Sequence, residues 1–135
     1  MSAEADYLRA ERAEVEKTLA LIENLIDRGV ITEYETIAFG KLLQDVYMGI
    51  ERILRCKLEN QDIRIPKTES WHKELLLQAQ EQGLVSENQF ETFQNLLLFR
   101  HLQVHGYGHR LDEVRLREIA EPAISLCKEF LENIK

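Results

Sequence analysis

Residues 32–53 read T-E-Y-E-T-I-A-F-G-K-L-L-Q-D-V-Y-M-G-I-E-R-I. Thr32 followed three residues later by Glu35 is a capping box, in which the threonine oxygen accepts from the backbone N–H of the third helical residue while the glutamate reaches back to the cap. Behind it Phe39, Leu43, Val46, Ile50 and Ile53 recur at alternating steps of four and three, so they form one apolar seam along a helix. Such a seam is buried only by other helices. Gly40 and Gly49 lie within it, where glycine costs helix stability; their expected role is to let a neighbouring helix come close.

The same periodicity extends to both sides. A first helix is predicted from about Ala3 to Arg28, with Leu8, Val15, Ile22 and Leu25 on one stripe and Gly29 as its stop. Pro66 marks the longest loop, from Glu59 to Thr68. A shorter helix then carries Trp71, Leu75 and Ala79 on its buried side and ends at Gly83, with His72 assigned a structural part. Ser86 and Gln89 form another capping box and open a helix through Phe90, Phe93 and Leu96-Leu97-Leu98-Phe99. Four apolar residues in succession point around the whole circumference, so this helix is either central or covered on its second side by another subunit. Leu116, Ala120, Ala123, Cys127, Phe130 and Ile134 continue the rhythm to the end, with Pro122 kinking that last helix or dividing it. Tyr7, Tyr34 and Tyr47 are expected at helix interfaces with their hydroxyls toward water. No stretch alternates as a strand does. The expectation is one all-α domain over residues 1–135, an up-and-down bundle of about four to five helices.

With 135 residues, 30% of them charged, and only 2 prolines, the composition is that of a folded helical domain. An acidic N-terminus and the lack of a long apolar run predict a cytoplasmic protein with no membrane partner. Cys56 and Cys127 have no paired spacing and read as reduced, partly buried thiols. The net charge of -7 argues against indiscriminate polyanion binding. Between Arg100 and Arg117, however, four arginines face only Asp112 and Glu113, so any nucleic-acid contact is expected there.

That segment opens with F-R-H-L-Q-V-H-G-Y-G-H-R, residues 99–110, which contains three of the four histidines. Arg100 offers a phosphate clamp, His105 a proton carrier near neutral pH, and Tyr107 an accessible phenol between two glycines. Arg100 and His105 are five apart, roughly 140° around an ideal helix, so they do not share a face. Gly106 and Gly108 favour a helix ending near His105, from which the imidazole swings toward Arg100, or a second subunit supplies the partner residue. The negative helix terminus favours imidazolium and a nearby Arg100 favours the neutral ring. His101, His105 and His109 also fall at intervals of four, a zinc- or nickel-like spacing, but the glycines interrupt the helix and no local cysteine or carboxylate completes a ligand set. No metal and no cofactor are expected.

An Arg, four residues, a His, one residue and a Tyr at the end of an apolar helix in a small all-α chain resembles the HEPN-domain ribonuclease toxins of the HepT-like kind. Arg100, His105 and Tyr107 match R-x4-H-x-Y position by position, and the helical outline from about Thr32 onward fits. Many members carry Asn directly after the arginine, where this chain has His101. The resemblance implies a metal-independent endoribonuclease acting on transfer or messenger RNA as a symmetric homodimer. It further implies a toxin of a type II or type VII-like pair, with a minimal nucleotidyltransferase antitoxin that transfers AMP to Tyr107. Arg100 and His105 are then the catalytic pair, and Tyr107 and His101 support them. The alternative is a nonenzymatic HEPN-like nucleotide-binding or scaffold subunit of a nucleotidyltransferase complex. Apart from the resemblance, Glu51 on the second helix is chosen as an acidic partner to orient Arg100, beside the plainer reading of a solvated or seam-edge carboxylate.

Overall fold

A computed structural model describes residues 2–30, 32–104 and 113–134, with side chains described through residue 101 in the second span. Five helices follow in order: α1 (Ala3–Arg28), α2 (Glu33–Asn60), α3 (Trp71–Glu81), α4 (Glu87–Val104) and α5 (Glu113–Asn133). The described residues form an all-α bundle without strands.

Local chemistry sets the helix ends. At α1 the Ser2 hydroxyl accepts from the Ala5 N–H, and the chain leaves through Gly29 at φ 92°, a conformation costly for residues with a Cβ. Both halves of the Thr32–Glu35 capping box are made. The Ser86–Gln89 box is also complete, at 2.9 and 3.1 Å. Gly83 stands after α3 with φ 74°. Each satisfied cap is worth about 1 kcal/mol.

Helix α2 is the hub, packing against all four other helices. Its seam of Phe39, Leu43, Val46, Ile50 and Ile53 is buried, together with Leu54 and Leu58. Val15, Leu19, Ile22 and Leu25 of α1 meet this core, whereas Leu8 is only partly covered. Gly49 explains the close α1–α2 approach, because a Cβ built there would stand 2.4 Å from Val15 Cγ2. Arg52 adds an ion pair across the same two helices, its Nε 3.0 Å from both Glu11 carboxylate oxygens. Phe93 of α4 meets Phe130 of α5 edge to face, with centroids 5.4 Å apart.

Two sequence expectations are narrowed to one of their alternatives and two change. Helix α4 is not covered all round within the chain: Leu96 and Phe99 are buried but Leu98 is 57% exposed, since residues one apart on a helix diverge by about 100°. Helix α5 runs undivided through Pro122, whose ring removes one backbone bond while Ala120 and Ala123 on either side remain buried. Tyr34 is 84% exposed and takes no part in a helix interface. Tyr47, in contrast, is fully buried, hydroxyl included, because it lies one residue past Val46 on the flank that α2 turns toward α4.

Candidate active site

Three helices bring polar side chains into this otherwise apolar interior. Tyr47, Glu51 and Arg55 succeed one another at intervals of four on α2, which stacks them along one flank. Glu51 is 7% exposed. A carboxylate removed from water to that degree costs several kcal/mol unless it is compensated. The compensation comes from α3, where His72 Nδ1–H donates to Glu51 Oε2 at 2.5 Å. An ionised carboxylate only accepts, so the tautomer that suits this contact carries its proton on Nδ1. The imidazole is held on a second side by Trp71, with ring centroids 3.7 Å apart and planes at 30°. The Arg55 guanidinium lies 4.4 Å from the Trp71 ring centroid, a cation–π contact that ties the start of α3 back to α2.

Arg100 enters from α4. The residue is half-buried, and its Nε is buried and has no hydrogen-bond partner among the described residues. The Tyr47 hydroxyl is in the same condition. Burial pushes the Tyr47 phenol far above its ordinary value, the adjacent Glu51 carboxylate pushes it further, and the Arg100 guanidinium draws it partly back. Glu51 approaches the phenol without reaching full hydrogen-bond geometry, so its formed bond is the one to His72. Glu51 and Arg100 make no direct ion pair; Tyr47 stands within the influence of both.

Among the other residues singled out in the sequence, His101 is exposed on α4, one position after Arg100. His105, Tyr107, His109 and Arg110 lie outside the described residues, and with them the meeting of Arg100 and His105. Two arginines of the basic segment are engaged locally. Arg117 pairs with Glu113 at 2.8 Å and donates to the Ile26 carbonyl in the last turn of α1, while Arg115 pairs with Glu118 at 3.3 Å. Both cysteines are free thiols raised in pKa by burial, and Cys127 is pushed up to about 12. High pKa and burial make Cys127 a poor nucleophile.

Sequence reasoning chose Glu51 as an acidic residue to orient Arg100 and missed His72, which is the partner that Glu51 has among the described residues. The signal was present in part. Tyr47, Glu51 and Arg55 share a helical flank, while the approach of His72 depends on how α3 lies across α2.

A protein family described as HepT-like protein matches residues 38–135. The chain belongs to the HepT-like family. The match takes in the polar cluster on α2 and α3, Arg100 and the R-x4-H-x-Y segment, and it leaves α1 outside. No curated protein and no solved structure matched the chain. The HepT-like assignment agrees with the five-helix architecture, and no described helix is long and apolar enough to cross a membrane.

Proposed function

We propose that this HepT-like protein is an endoribonuclease toxin that cleaves RNA by attack of a ribose 2'-hydroxyl on the adjacent phosphorus, without a metal ion. The carrying observation is the coincidence of R-x4-H-x-Y with the end of α4 in a chain of this family. His105 removes the 2'-hydroxyl proton, the 2'-oxygen bonds to phosphorus as the bond to the 5'-oxygen breaks, Arg100 balances charge on the nonbridging oxygens, and the departing 5'-oxygen takes a proton from solvent, leaving a cyclic phosphate. The half-buried state of Arg100 supports this part, because its Nε is buried while the residue as a whole keeps some exposure through which its guanidinium can meet a phosphate.

The active form in this reading is a homodimer with both motifs in one cleft. Leu98 and Val114, exposed apolar residues on α4 and α5 beside the motif segment, support it. A minimal nucleotidyltransferase antitoxin restrains the toxin by transferring AMP to Tyr107, which places bulk and negative charge beside Arg100 and His105.

The deciding experiment incubates the purified chain with total RNA in chelator and maps the cut ends. Wild type is expected to leave cyclic phosphate ends and to spare DNA of the same sequence. Loss of general base catalysis is worth roughly 10²- to 10⁴-fold, about 3 to 5 kcal/mol, so His105→Ala should show no detectable cleavage and should permit growth on expression. Cleavage retained in His105→Ala refutes the assignment. Harmless expression of a wild type that leaves RNA intact favours the scaffold role instead.

A further inference from the structure

Beyond the motif, one polar assembly in the interior is more elaborate than packing requires. Glu51 occupies a flank of α2 that an apolar residue would fill at less cost. It is retained with a dedicated donor, His72, whose ring is fixed on one face by Trp71 and at Nδ1 by the carboxylate. Trp71 is in turn fixed by Arg55. The chain of restraint thus runs from Arg55 through Trp71 and His72 to Glu51, then to the buried Tyr47 hydroxyl beside Glu51. The buried Nε of Arg100 belongs to α4, which packs against α2, and the Arg100 guanidinium acts on the Tyr47 phenol. Immobilising a residue that never touches substrate is useful when the group it holds must be oriented accurately, since a displacement of about 1 Å at a reacting group can cost roughly a hundredfold in rate.

We propose that His72 is a positioning residue of the ribonuclease site: by donating to Glu51 it fixes that carboxylate against Tyr47, and the pair forms the wall on which the buried edge of the Arg100 guanidinium is oriented. His72 touches neither RNA nor the reacting atoms. The proposal rests on the ribonuclease reading for its consequence in rate, but the positioning itself is a property of the folded chain and is measurable without substrate.

The test compares wild type with His72→Leu, which removes the donor, and His72→Asn, whose side-chain amide keeps a donor near the Nδ1 position. The first measurement is the Arg100 Nε–H cross-peak in a ¹⁵N–¹H spectrum, identified by its disappearance in Arg100→Lys. It is expected to move in His72→Leu and to return toward its wild-type position in His72→Asn. An unmoved cross-peak in folded His72→Leu overturns the proposal, whether or not the protein cuts RNA. If His72→Leu does not fold, Glu51→Gln, which keeps the shape and removes the charge, takes its place with the same expectation. The second measurement is cleavage of a defined RNA: His72→Leu is expected to lower kcat by about ten- to a hundredfold with KM little changed, and His72→Asn to recover most of it. Equal losses in both variants, tracking only their melting temperatures, mean a structural ion pair and overturn it. RNA left intact by wild type while the cross-peak behaves as expected strikes the ribonuclease reading and leaves the positioning standing.

Discussion

A phenol shielded from solvent, with a carboxylate for a neighbour, is the most perturbed group in the described interior. Tyr47 resists ionisation because its anion would be desolvated beside Glu51. Spectrophotometric titration of the native protein should therefore give the same curve for wild type and Tyr47→Phe until the fold opens, and one tyrosine fewer for the variant afterwards. A native-state difference between the two curves would show that the hydroxyl reaches water. Tyr107 is the AMP acceptor in the proposed reading, which gives it a test of its own. Mass spectrometry after incubation with the antitoxin and ATP should add one AMP to wild type and none to Tyr107→Phe; modification of the variant places the acceptor elsewhere. The motif residues were legible in the sequence because they are contiguous, and Glu51 could be picked out as an acidic residue on the helix that carries the main seam. Its bond to His72 was not, since nothing in two segments 21 residues apart specifies that they meet.

Among the elements, α2 shows how a helix that touches all the others depends on side-chain size at a single position. Replacing Gly49 with Ala would raise intrinsic helix propensity by up to about 1 kcal/mol, yet its methyl group would collide with Val15 Cγ2. Overpacking of this kind costs about 1–3 kcal/mol, so the collision wins and Gly49→Ala should lower the urea midpoint. Val15→Ala in the same chain should return part of that loss, because the obstructing methyls are then gone and the two changes are coupled. Purely additive effects would mean that α1 shifts freely to make room. The helix boundaries themselves were readable beforehand, since capping boxes and stop glycines act over three or four residues. The uncovered side of α4 was not, because a four-residue apolar run does not say which of its members has a neighbour.

For the whole molecule, the buried acids set the response to alkali. Cys127 has its pKa raised from 9.0 to about 12 by burial and Tyr47 is raised as well, so above about pH 9 the native state binds more protons than the unfolded chain. Stability from these groups is fully present below the unfolded pKa values and falls as the pH climbs from 9.0 toward the raised ones. Urea unfolding across that range should show a steeper loss for wild type than for Cys127→Ala, which lacks the thiol; parallel curves would assign the alkaline loss to other groups.

Helical class, the approximate positions of the five helices and the R-x4-H-x-Y segment were determined by sequence alone, because periodicity, capping and motif spacing are properties of residues near one another along the chain. The burial of Tyr47, the hold of His72 on Glu51 and the exposure of Leu98 were decided only by tertiary structure. Each depends on where one helix crosses another, and that is settled by the summed fit of many side chains, for which no short stretch carries the information.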